Sequence, residues 1–69
     1  MEFKWETDFT IEVKIVNGAA VISANKAGLI SLANHLICLA DGEPGDHFHL
    51  DENNSLEDGS AELVIEKTA

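Results

Sequence analysis

The chain has 69 residues and a formal net charge of −9, from 13 acidic residues, four lysines and no arginine. A chain this short forms one domain (1–69) with little room for a deep catalytic cleft, so we expect a non-enzymatic protein without a cofactor. Nucleic acids and anionic membranes both attract positive charge, so neither is an expected partner. The N-terminus lacks the layout of a signal peptide, and the single cysteine, Cys38, forms no internal disulfide, so a cytoplasmic location is expected.

The acidic residues are concentrated in one part of the chain. Seven of them lie between residues 41 and 58, where there is no lysine: Asp41, Glu43, Asp46, Asp51, Glu52, Glu57 and Asp58. A basic protein is the natural partner of such a surface, because opposite fields speed encounter. A surface that only keeps the protein soluble is the competing interpretation.

The N-terminal third predicts a β-hairpin. Apolar and polar residues alternate from Phe3 to Ile15, as in a strand with one buried face. Asn17-Gly18 is the preferred pair for a two-residue type I′ turn, and the resulting register places Val13 opposite Ile22. The aromatic residues Phe3, Trp5 and Phe9 fall on the predicted buried face. An uncovered Trp5 would offer a surface for a partner or for a homodimer.

A helix is predicted from the N-cap Asn25 to about Leu39. The glycine and proline residues of the segment 41–45 are expected to end it. Its apolar residues recur at three- and four-residue spacing and predict a stripe that packs on the sheet: Leu29, Ile30, Ala33, Leu36, Ile37 and Ala40. The opposite, polar side would carry Ser31, Asn34, His35 and Cys38.

Two further strands are predicted after the helix. One is short, from His47 to Leu50, and the other spans residues 62–67. The polar loop 51–60 between them contains one large apolar residue, Leu56, which suggests a plug in the core. The order ββαββ predicts an α+β domain, with an antiparallel or mixed four-stranded sheet and one helix on one face.

The segment Gly45–Asp51 carries the candidate site. Residues two apart on a strand project from the same face, so His47 and His49 point together, with Asp51 beside them. Such a face binds a metal, binds a partner, or is simply the solvated side of a strand. His35 and Cys38 are also zinc-ligand types, but His47 and His49 would lie on the opposite face of the sheet from the helix. We therefore expect no metal, with a small site on His47 and His49 as the alternative.

The stretch from Leu29 to Lys67 resembles a family of bacterial immunity proteins, immunity family 32, which are encoded beside polymorphic toxins. The resemblance rests on the helix residues Leu29, Leu32, Ala33 and Leu36, then on residues 45–51, the isolated Leu56, the Gly59-Ser60 turn and the closing strand 62–67. It implies an α+β fold and a role in binding and neutralising a cognate toxin. It brings no catalytic residues.

A toxin of basic character is the partner expected from the resemblance and the charge together. The alternatives are a small metal-binding protein that uses His47 and His49, and an accessory domain that dimerises. The expected contact residues are the two histidines and the acids around them: His47, His49, Asp46, Asp51, Glu52 and Asp58.

Overall fold

The computed structural model describes residues 5–69. Its elements follow the predicted order ββαββ: β1 (Ile11–Val16), β2 (Ala19–Ala24), α1 (Lys26–Ala40), β3 (His47–Leu50) and β4 (Leu63–Glu66). The strands form two separate antiparallel sheets, β1–β2 and β3–β4, instead of the single four-stranded sheet that the sequence predicted. Within the described residues, no helix is both long and apolar enough to cross a membrane.

The first hairpin has the predicted turn and register. Val13 pairs with Ile22, and all six residue pairs of β1 and β2 follow the same alignment. Asn17 and Gly18 have φ angles of 51° and 82°, which is the left-handed backbone that a type I′ turn requires at both positions. The turn and the register are therefore confirmed. The predicted buried face is buried only at Ile11 and Val13, whereas Ile15 and Ile22 are 63% and 39% exposed.

The first strand begins later than predicted, at Ile11, and Phe3 lies outside the described residues. A turn precedes the strand, with Asp8 at φ 60°. The side chain of Asn25 binds this segment: its Nδ2 donates to the Asp8 carbonyl at 3.0 Å, and its Oδ1 accepts from Thr10 N–H at 3.0 Å. Backbone groups bound to a helix cap cannot also join a strand ladder, so the alternation before Ile11 does not produce a strand.

An irregular segment, Glu57–Ala61, links the two sheets along the free edge of β1. Glu57 N–H donates to the Ile11 carbonyl at 2.9 Å, and Ala61 N–H donates to the Val13 carbonyl at 2.7 Å. The N–H of Val13 donates to the Ser60 hydroxyl at 3.1 Å, not to a backbone carbonyl. A side chain thus replaces one bond of the ladder, and the sheet does not continue across this edge.

The core lies between α1, the start of the first hairpin and the inner face of the second. Its buried apolar residues come from β1, α1, β3 and the long loop that follows β3: Ile11, Val13, Leu32, Leu39, Phe48, Leu50 and Leu56. Leu56 is only 5% exposed, so its predicted role as the plug of the long loop is confirmed.

The helix faces the core with a different side from the one predicted. Its buried residues are Gly28, Ser31, Leu32, His35 and Leu39. The predicted apolar stripe is exposed instead: Leu29, Ile30, Ala33, Leu36, Ile37 and Ala40. The close approach of Gly28 to Thr10 accounts for this rotation, because only the glycine side of the helix fits against that backbone. The N-cap itself is as predicted, since Asn25 Oδ1 accepts from Gly28 N–H at 2.7 Å.

Two polar residues are buried on this helix face, and both have partners. The Ser31 hydroxyl accepts from Glu6 N–H at 2.7 Å, and His35 Nδ1 donates to the Ser31 carbonyl at 2.7 Å. The ring of Trp5 lies 4.1 Å from that of His35 and 4.5 Å from that of Phe9, measured between centroids. Trp5 remains 40% exposed, so the core covers only part of it.

Candidate protein-binding site

Strand β3 divides its side chains between the core and the surface as predicted. Phe48 and Leu50 are 6% and 4% exposed and pack inward, whereas His47 and His49 are exposed on the outer face. The inward pair anchors the strand in the core. The two histidines are therefore presented on a backbone that the core holds in place.

Strand β4 completes this outer face with residues that the sequence analysis missed. His47 pairs with Glu66 and His49 with Val64, and cross-strand partners share a face. Glu62, one step before β4, brings its Oε2 to 3.4 Å from His49 Nδ1, a contact that is an ion pair when His49 is protonated. Glu62, Val64 and Glu66 are spaced two residues apart, and this spacing could have indicated that they share one face of the strand.

We call this surface the histidine face, and it comprises His47, His49, Glu62, Val64 and Glu66. Its two imidazole rings lie 4.9 Å apart between centroids, at 73° to one another. His47 Nδ1 also lies 3.3 Å from the Gly45 carbonyl, within hydrogen-bond distance. Exposed imidazoles and carboxylates, together with the half-exposed Val64, give this face donors, acceptors and a small apolar area.

Of the acids predicted from the sequence, Asp46 immediately precedes β3 and Asp51 immediately follows it. Three of the four predicted acids accept hydrogen bonds from backbone N–H groups. Asp46 Oδ2 accepts from Glu43 N–H at 2.9 Å, and Asp51 Oδ1 accepts from Asn53 N–H at 2.9 Å. Glu52 Oε2 accepts from Gly59 N–H at 2.8 Å across the long loop. Asp58 is exposed on the same loop. These carboxylates shape the loops and still contribute negative charge at or near the surface.

The lysines of the described chain do not neutralise the histidine face. Lys67 follows β4, but its Nζ donates to the Ala40 and Gly42 carbonyls at 2.7 Å each, at the C-terminal end of α1. A cation is favourable there because the helix dipole leaves partial negative charge on the last carbonyls. Lys14 lies on the other sheet, 3.7 Å from Glu12. Neither of these two side-chain ammonium groups is bonded to a residue of the histidine face.

The four potential zinc ligands do not assemble. His35 is 1% exposed and packs inside the core, with its ring 5.5 Å from that of Phe48, so the prediction that it lies on a polar side of the helix is wrong. His47 and His49 lie on the outer face of β3. Across residues 5–69, no group of three or more histidine, cysteine, aspartate and glutamate side chains is placed to hold a metal ion. Zinc sites in proteins use three or four such ligands.

An open pocket of about 210 Å³ lies beside β3. It is lined by Trp5, His35, Phe48, His49, Leu50, Asn54 and Ser55. Pockets that enclose small organic ligands have volumes of about 300–1,000 Å³, so this one is small for such a ligand.

Comparison with protein families matches residues 20–68 to the family described as Immunity protein 32. The matched stretch is 49 of the 69 residues and contains β2 in large part, α1, β3 and β4. No curated protein and no solved structure matches the chain.

Proposed function

Because the chain belongs to the Immunity protein 32 family, we propose that it binds a cognate bacterial toxin in the cytoplasm and neutralises it without catalysis. The family supports a toxin-neutralising binding role. We assign the contact surface to the histidine face and to the acids that flank it, Asp46, Asp51, Glu52 and Asp58. The expected toxin surface is basic.

The observation that carries this assignment is the composition of the histidine face. Two histidines and two glutamates project from one antiparallel strand pair, and none of them forms an ion pair with a lysine among the described residues. A basic partner would gain from this potential, because complementary charges raise the rate of encounter and penalise wrong partners. The histidine rings add flat surface and hydrogen-bonding nitrogens that suit a specific contact.

The flanking loops favour a preformed surface. The turn-binding hydrogen bonds of Asp46, Asp51 and Glu52 hold these carboxylates in defined positions before a partner arrives. A preorganised surface loses less conformational entropy on binding than a mobile one. We therefore expect binding to proceed without large rearrangement of this hairpin.

The test is a rescue assay combined with a binding measurement. The probe is the product of the toxin gene adjacent to the gene for this chain, expressed in a sensitive host with and without the chain. Glu62→Lys combined with Glu66→Lys should abolish rescue and weaken binding by about 100-fold, because it reverses two charges at the proposed interface. Glu6→Lys combined with Glu12→Lys makes the same change in net charge elsewhere and should leave both readouts intact.

Two further double variants distinguish the contribution of the histidines to binding from that of the acids. His47→Ala with His49→Ala should weaken binding without changing its salt dependence, whereas Asp51→Lys with Glu52→Lys should reduce the association rate. Equal rescue by all of these folded variants would move the interface away from the histidine face. A toxin whose lethality the unmodified chain never relieves would overturn the proposed function itself.

A further inference from the structure

The outward side of α1 is apolar over its whole length. Leu29, Leu36 and Ile37 are 54%, 42% and 63% exposed. The chain carries 13 acids, yet none lies in α1, and Lys26 is the only charged residue of this helix. The solvent side of a surface helix normally carries charged and polar residues. An uncharged outward face on a chain of net charge −9 therefore calls for a partner that covers it.

The exposed residues have the spacing of a helix–helix seam. Leu29, Ala33, Leu36 and Ala40 follow one another at alternating steps of four and three residues, with Ile30 and Ile37 along one side. We call these six residues the outer stripe. Its two alanines alternate with leucines, and small side chains allow a second helix to approach closely while the leucines fill the space beside them.

The two ends of the outer stripe carry opposite charges. Lys26 stands at the N-terminal end and forms no ion pair with the described residues. Asp41 and Glu43 follow the C-terminal end. The amino group of Lys67 lies at that end too, where it donates to the Ala40 and Gly42 carbonyls and forms no ion pair with either carboxylate within the described residues.

We propose that the outer stripe is the interface with a second copy of this chain, packed antiparallel about a twofold axis. In this arrangement, Lys26 of each copy faces Asp41 and Glu43 of the other, so one apolar seam is closed by an ion pair at both ends. The antiparallel helix dipoles attract as well. A parallel pair would place Lys26 against Lys26 and acid against acid, which makes it less favourable than the antiparallel pair.

The dimensions of the stripe set the strength of this dimer. A helix of 15 residues is about 22 Å long, and two packed helices lie about 8–10 Å apart. Stable interfaces bury about 800 Å² on each partner, whereas this chain exposes 4608 Å² in all. One helix pair buries less than that. The dimer is therefore a weak and reversible one.

Sedimentation equilibrium of the purified chain tests the association. The mass should rise with concentration from 7.5 kDa towards twice that value. Leu36→Glu places a charge in the seam and should weaken the dimer by about 100-fold or more. Val21→Glu is the matched control, since Val21 is also an exposed apolar residue (41%) but lies on β2, and this variant should dimerise normally. Circular dichroism verifies that both variants are folded.

Charge exchange tests the antiparallel arrangement. Lys26→Glu alone should weaken the dimer by about tenfold, and adding Asp41→Lys and Glu43→Lys to it should restore the original affinity. A chain that stays monomeric at all concentrations overturns the proposal, as does a Val21→Glu variant that dissociates as fully as Leu36→Glu. Failure of the charge exchange overturns the antiparallel arrangement. These measurements use the chain alone, so they are independent of the rescue assay.

Discussion

Gly28 of α1 lies so close to Thr10 that a Cβ at position 28 would stand 2.1 Å from the Thr10 carbonyl oxygen. No side chain fits at that distance, and the obstacle is backbone, which cannot rotate away. The contact thereby selects which side of α1 faces the core. It turns Leu32 and Leu39 inward and leaves the outer stripe exposed.

Gly28→Ala should destabilise the protein by about 1–3 kcal/mol, because the helix must move away from Thr10 to admit the methyl group. The usual effect of this substitution on stability is the opposite, since alanine in a helix is normally more favourable than glycine by about 1 kcal/mol. The free energy of unfolding from urea titration measures the effect. Ala33→Gly, at an exposed position of the same helix, should cost only about 1 kcal/mol. A Gly28→Ala variant as stable as the unmodified protein would show that this contact does not set the helix orientation.

Asn25→Ala should destabilise the protein by about 2 kcal/mol, since it removes the N-cap together with the two bonds to the segment before β1. Asn25→Asp keeps the accepting oxygen but loses the amide that donates to the Asp8 carbonyl, so its effect should be intermediate. Asn34→Ala, farther along the same helix, is the control and should change stability by less than about 0.5 kcal/mol. Equal stability of the Asp and Ala variants would contradict the role of the cap oxygen.

The three histidines should separate into one structural residue and two surface residues. His35→Ala leaves a cavity beside Phe48 and removes the bond to the Ser31 carbonyl, so we expect a loss of about 2–4 kcal/mol. His47→Ala and His49→Ala change exposed side chains and should each alter stability by less than about 0.5 kcal/mol. Thermal unfolding of the three variants gives the comparison, and a large loss for His47→Ala or His49→Ala would mean that the histidine face is needed for folding.

Ser60→Ala should destabilise the protein by about 1–2 kcal/mol, because it leaves the N–H of the buried Val13 without its hydroxyl acceptor. Ser23→Ala on exposed β2 is the matched control, with an expected change below about 0.5 kcal/mol. Hydrogen exchange at the Val13 amide gives a local readout, and it should become faster in Ser60→Ala. Unchanged exchange there would mean that the loop does not protect this edge of β1.

The elements themselves follow from local features of the sequence. The alternation in β1, the Asn17-Gly18 turn and the N-cap Asn25 each act within a few residues, so their outcome is readable from the chain. The alternation of His47–Leu50 likewise placed both histidines on one face. The family resemblance, carried by residues 29–67, agrees with the family match over residues 20–68.

Tertiary structure decided which faces of these elements meet. Both sides of α1 offer apolar residues, so hydrophobic spacing alone favoured the wrong side, and the contact of Gly28 with Thr10 settled the rotation. Ser60 replaced a ladder bond at β1 and divided the predicted sheet in two, a contact between residues 47 positions apart in the chain. The sequence by itself thus determined the elements, their order and the first hairpin. Which side of each element faces the core depended on close backbone contacts between segments distant in the chain, and no local pattern encodes such contacts.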